Sequence, residues 1–483
     1  MKKKIAGFIL IVASLMLSAA CKNIGSQAQV ETKEPETSER LEIEWIDPEV
    51  KIEWIDPGID YQSVRFESAG ESLYLLEVTL DDNSTKYGFI DETGVRIIPV
   101  IYDHANVFSD GLSYVELDDR KFFIDRSGKE TLDVSEYFMA SSFSFGFSVV
   151  TRIHSEDIES GFRQSFLQGI MDQSGNEVLP CEYTESGCFE NGTIWAVKDG
   201  KYAIFDHLGN RITQHEYSYI AYAGENKIIA EKNGKMGYLD QNGEAVIPFE
   251  YDEAGGFFDG LAAVSNEGQK SYINVLGEKI TQLAFEQAEA FSEERGLVMM
   301  GGYFGYIDTQ GNLVIPCVYD EAYHFNGGVA VVIENLGRMQ RFTPIDQNGE
   351  IAITPTEMGY YKWNDTYIAF YDPELGEYEV DLDVLALLDS SGNRLTGFYY
   401  SDIFDFHEGL AVAEEFGGFA LFYGLLNQYG AEIIPVMYEK VEIVDKNTCI
   451  VQLFVLDPDS GSGGGNSKVG IATLPHDSAT RKP

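Results

Sequence analysis

At 483 residues, with 44% hydrophobic and 13% aromatic side chains, the chain has the material for several packed cores and is not a disordered polymer. Its 79 acidic against 34 basic side chains give a formal net charge of -45, which argues against binding to nucleic-acid phosphates or anionic lipid headgroups. Cationic partners, metal ions and neutral polymers such as glycans remain compatible with that surface, as does plain solubility.

In chain order, the first predicted element is a secretory signal over residues 1–20. Three lysines (Lys2 to Lys4) precede an apolar run from Ile5 to Leu17 that is too short to span a bilayer, then small residues up to Cys21. The Ser18-Ala19-Ala20-Cys21 ending resembles the lipobox of bacterial lipoproteins, although Leu17 lies one place earlier than the family's usual leucine. The resemblance implies lipidation at Cys21 and export to the bacterial cell membrane or surface, with membrane attachment through lipid alone. Residues 21–60 follow as an acidic tether that ends in a small duplication, IEWIDP at Ile43–Pro48 and again at Ile52–Pro57. Each copy is expected to be a short strand stopped by proline.

From residue 61 to about 475 the chain is periodic, as one array or two sub-arrays, with 476–483 as a tail. A four-residue Asp/Asn-x-x-Gly signature recurs ten times: Asp91–Gly94, Asp125–Gly128, Asp172–Gly175, Asp206–Gly209, Asp240–Gly243, Asn274–Gly277, Asp308–Gly311, Asp346–Gly349, Asp389–Gly392 and Asn427–Gly430. Five of the nine intervals between these glycines are 34 residues, and the others are 47, 38, 43 and 38. Asp or Asn at i with Gly at i+3 predicts a type I turn closing a bulged hairpin. An apolar strand is expected on each side, as in YGFI before and VRIIPV after. Prolines at 99, 180, 248, 316 and 435 are each followed three residues later by tyrosine. Proline lacks a ladder donor, so these are expected to end a strand or lie on an edge. A third element, as in FFDGLAAV, carries Gly111, Gly192, Gly260, Gly328 and Gly409 seventeen residues after the turn glycine.

This pattern resembles the WG-repeat family of bacterial proteins, most clearly around Gly88, Gly237, Gly305 and Gly424. Tyr87, Met236, Phe304 and Tyr423 stand where that family has its tryptophan. The resemblance implies a β-rich repeat domain, common on envelope or secreted proteins, with no defined reaction and no catalytic residues. The expected fold class is all-β: tandem antiparallel repeats of about 34 residues, propeller-like, with a β-solenoid or open repeat array as the alternative. Ten copies exceed the usual 4–8 blades, so two propellers or an open array are both live.

The chain carries few signatures of chemistry. One aspartate beside each turn glycine is what turn geometry asks for, and DPDSG at Asp457–Gly461 lacks the spacing of a calcium loop. Neither G-x-S-x-G nor H-E-x-x-H occurs, and Cys181, Cys188, Cys317 and Cys449 contain no C-x-x-C pair. His207 and His215 flank one turn. No cofactor or metal is expected. The non-repeating segment Glu357–Tyr378 is rich in aromatics, and Tyr360, Tyr361, Trp363, Tyr367 and Tyr371 are its candidate ligand-binding residues. The expected function is a non-enzymatic binding or scaffolding module of the cell envelope that recognises protein or glycan. The alternatives are a propeller-type hydrolase acting on envelope glycans, or a structural or calcium-responsive spacer.

Overall fold

The computed structural model describes residues 50–479 except 60, 69–71, 159–160, 337–338, 353–358, 365–366, 372–384, 389–394, 398–399, 405, 417–419, 446, 457–464 and 476–477. None of the described residues is helical; the chain is all-β, built of short antiparallel meanders in tandem. In chain order, sheets 1 to 10 span 63–102, 104–133, 139–183, 185–205, 219–251, 253–274, 287–319, 321–346, 359–388 and 402–438. Sheet 11 takes three strands from 440–473 and a fourth, Lys51–Trp54, from the other end of the chain. Asp389 and Gly392, and the lipidation candidate Cys21, lie outside the described residues.

Each sheet has three or four antiparallel strands, neighbours in sequence pairing with one another except at Lys51–Trp54 of sheet 11. In sheets 2, 4, 5, 6 and 7 the turn joining the second and third strands is a two-residue hairpin with both central residues at positive φ, as at Asn233-Gly234 and Glu267-Gly268. That turn matches the right-handed strand twist, which explains the recurring Asn-Gly and Glu-Gly pairs. The glycines of the FFDGL-type element sit in the equivalent turn between first and second strands. Phe258 and Leu261 exchange backbone hydrogen bonds of 2.9 Å around Asp259-Gly260. The long 47-residue interval is a lengthening of one second-to-third hairpin, whose strands Phe147–Ile158 and Gly161–Asp172 run to 12 residues each.

Successive sheets pack face to face. Leu75, Phe89 and Ile98 of sheet 1 meet Phe108, Val115 and Ile124 of sheet 2, and the same arrangement recurs between sheets 5 and 6 through Tyr238, Phe257 and Ile273. The succession returns on itself, because Val64, Leu76 and Ile90 of sheet 1 share a core with Ile450, Val469 and Ile471 of sheet 11. A buried side chain of this size contributes roughly 1.5–3 kcal/mol. One repeat has too few such residues to stand alone, so stability comes from stacking neighbours.

The strand at the seam shows why glycine recurs in it. Trp54 pairs with Gly470, and a Cβ there would lie 2.9 Å from the indole Cε3 and 2.8 Å from Ile52 Cγ2. Of the IEWIDP duplication, the second copy supplies this closing strand, with Pro57 beyond its end. The first copy lies outside the described residues.

Candidate functional site

The Asp-x-x-Gly positions form one turn geometry. Asp240 Oδ1 accepts the backbone N–H of Asn242 and of Glu244, both at 2.9 Å, while Gly243 N–H donates to Asp240 O at 3.0 Å with φ of +78°. Asp91, Asp125, Asp172, Asp206, Asp308 and Asp346 repeat this pattern with Gly94, Gly128, Gly175, Gly209, Gly311 and Gly349. At Asn427–Gly430 the amide also donates to Ser478 O at 2.8 Å. The Asn210 side chain holds the Asp206 carboxyl below its usual range, and the Glu350 N–H does the same for Asp346. These carboxylates are occupied in holding hairpins. The turn glycine also packs on the preceding sheet, most tightly at Gly209, where a Cβ would meet the Val178 carbonyl oxygen.

The glycine of the Tyr87-Gly88 pair has a different reason. Tyr87 pairs with Tyr102 while Phe89 pairs with Ile98, so three outer-strand residues, Pro99 to Ile101, face Gly88 alone. A Cβ on Gly88 would lie 2.8 Å from Val100 Cα, and one on Gly305 would lie 2.6 Å from Ile315 O. The same register jump surrounds Pro180, Pro248, Pro316 and Pro435. The prolines therefore sit inside the outer edge strand at a bulge, where no donor is required.

One further device joins neighbouring repeats and is not apparent from the sequence alone. The acidic residue after the recurring tyrosine accepts a backbone N–H fifteen residues on, at or near the end of the next sheet's second strand: Asp103 from Asp118 at 3.0 Å, Asp252 from Glu267 at 2.7 Å, and Asp320 from Asn335 at 2.7 Å. The signal was present as a Tyr-Asp pair at a fixed spacing from its donor.

Among the described residues, no group of three His, Cys, Asp or Glu side chains converges as metal ligands. The four described cysteines are free, and burial pushes the Cys181 and Cys188 thiols up to about 11, which keeps them protonated at neutral pH. Cys181 and Cys317 occupy one repeat position beside the carbonyls of Val150 and Val298. His215 lies stacked on Tyr183, with ring centroids 5.8 Å apart, whereas His207 is exposed in the turn.

The candidate aromatics fall on one hairpin of sheet 9. Its strands Gly359–Asn364 and Tyr367–Tyr371 pair with Tyr360 opposite Phe370, Trp363 opposite Ile368, Asn364 opposite Tyr367 and Gly359 opposite Tyr371. Tyr361 occupies the register shift between Tyr360 and Lys362.

A cleft of about 790 Å³ lies instead where the two ends of the array meet. Its walls are the first strands of sheets 11, 1 and 2, joined by Leu75, Glu77, Tyr87 and Gln452 of neighbouring strands, with Ser142 beyond them. Lys440 Nζ sits 4.5 Å from the Phe66 ring centroid and donates to Phe66 O at 3.2 Å. Glu439 accepts from Gln452 Nε2 at 2.9 Å and from Ser467 Oγ at 2.6 Å. His104 packs edge-on between Tyr87 and Tyr114, at 5.8 and 6.1 Å, with Nε2 3.0 Å from Asn106 Oδ1. Burial, then the Glu77 charge, raises the Tyr87 phenol, so it stays a neutral donor at the cleft wall. Charged groups, amides and aromatic rings thus converge in a concave space within the roughly 300–1,000 Å³ usual for ligand sites.

Five stretches of the chain match the WG containing repeat: residues 87–120, 169–202, 236–269, 271–304 and 304–335. The first begins at Tyr87 in the third strand of sheet 1 and ends in sheet 2, so the sequence repeat is offset from the sheet. No curated protein matches the chain in sequence. Among solved structures, the chain is similar to the acylaminoacyl peptidase of Pyrococcus horikoshii, at 12% identity and a TM-score of 0.26, over 61% of this chain and 60% of that one. It is also similar to a puromycin hydrolase, at 10% identity and a TM-score of 0.22, over 66% of this chain and 58% of that one. The chain thus spans about three fifths of the length of each, and likenesses this distant carry no functional argument.

Proposed function

We propose that this array of WG repeats is a non-enzymatic recognition module of the bacterial cell envelope, propeller-like in form. In this reading it is carried on an acidic tether from a lipid on Cys21, and it binds an envelope glycan or protein. The observation that carries the binding role is the cleft between the first and last sheets, whose polar and aromatic lining departs from the repeat. The return of sheet 11 onto sheet 1 supports a closed propeller over an open array. The apolar run before Cys21 and the solvated stretch after it support the anchor.

Affinity capture from the envelope fraction, using the full chain as bait, tests the reading. Wild type is expected to retain a glycan or protein species that the double variant E77Q/H104A releases. Equal retention by the variant, or no retained species, contradicts it. Growth with labelled palmitate checks the anchor separately: label is expected on the wild type and absent from C21A.

A further inference from the structure

We infer that the cleft selects an oligosaccharide bearing a carboxylate, an inference that rests on the recognition function proposed above. It starts from one register position. In ten of the eleven sheets, one residue of the first strand directly precedes a buried or half-buried residue that pairs with the second strand. In sheets 11, 1 and 2 these residues are Lys440, Arg65 and His104, preceding Val441, Phe66 and Ala105. In sheets 4, 6, 8 and 10 the equivalents are Glu185, Glu253, Glu321 and Asp402. Those of sheets 3, 5 and 7 are uncharged: Met139, Tyr219 and Gln287.

Three successive basic residues at one structural position are therefore confined to one arc, in a chain with 79 acids and 34 bases. All three line the 790 Å³ cleft. Arg65 is exposed there and makes no ion pair among the described residues, so its planar donor fork is open to a ligand carboxylate. Lys440 is fixed against Phe66, and His104 is fixed between two tyrosines, so their positions are set before binding.

The rest of the lining restricts the ligand further. Glu67, Glu77 and Glu439 also face the cleft and offer acceptors. They suit hydroxyl donors and repel a ligand of high negative charge density. A carboxylate for Arg65, with many hydroxyls for the glutamates and for Asn106 and Gln452, describes an acidic sugar. A phosphate polymer or an acidic peptide would bring more charge and fewer donors.

Isothermal titration of the full chain at low salt, with trigalacturonate and its methyl ester as probes, tests the inference. The acid is expected to bind at least about tenfold tighter than the ester, in line with a charge-assisted contact. R65Q is expected to abolish that difference, and E77Q to weaken the binding of both saccharides. Both saccharides binding equally, with E77Q effective and R65Q silent, would overturn the carboxylate selectivity and leave cleft recognition standing. Binding of tetraglutamate or poly(glycerol phosphate) in place of the saccharides would overturn the sugar assignment. No binding of any probe overturns the inference, and envelope capture lost in E77Q/H104A would then still support the recognition site.

Discussion

Glycine serves two separate physical needs in this chain, and substitution separates them. Gly305 is an ordinary extended residue whose missing Cβ lets the outer strand bulge across it, 2.6 Å from Ile315 O. Gly192 has open space around it and needs only its φ of +79°. G305A is expected to cost about 1–3 kcal/mol through forced separation of the strands. G192A is expected to cost about 1–2 kcal/mol of left-handed strain. Asn tolerates the left-handed region, so G192N should regain most of the loss, while G305N should fall below G305A. Urea unfolding midpoints check this, and rescue by Asn at both positions would contradict the distinction. The Asp-x-x-Gly turns were legible because their signature is local. The purpose of Gly305 was not, because it depends on a neighbour brought across the ladder.

At the scale of elements, the sequence intervals carried the hairpins well and the closure poorly. A 34-residue spacing encodes one meander, and the 47-residue interval is one elongated hairpin. Where the Pro-x-x-Tyr signature is absent, the fourth strand shortens, to Glu130–Asp133 in sheet 2 and to isolated bridges such as Phe205 with Arg211 in sheet 4. There the Thr213 hydroxyl accepts the Ile204 N–H at 3.1 Å. The seam depends on Lys51–Trp54, which covers the edge of the strand Gly465–Thr473. Removing residues 43–57 bares that edge and uncovers Gly470, and a free edge is a template for pairing with another chain. The truncated protein is expected to unfold at lower temperature and to self-associate with concentration in sedimentation velocity. An unchanged melting temperature and a single monomeric species would contradict the role of this strand.

At the scale of the whole molecule, repetition builds the frame and departure from it makes the site. Nine near-equivalent described turns mark where the chain is the same, and the seven aspartates among them each hold their own hairpin. The aromatic segment at Gly359–Tyr371 stood out in the sequence because its unusual residues are adjacent. The arc of Lys440, Arg65 and His104 did not, since its members lie near opposite ends of the chain and meet only through closure. Hydrogen exchange of the full chain, with and without soluble envelope oligosaccharides, separates these two places in a single experiment. Slowed exchange is predicted at residues 64–67, 104–107 and 439–452, with residues 359–371 unchanged. Protection confined to 359–371, or protection nowhere, would contradict the assignment of recognition to the seam of the array.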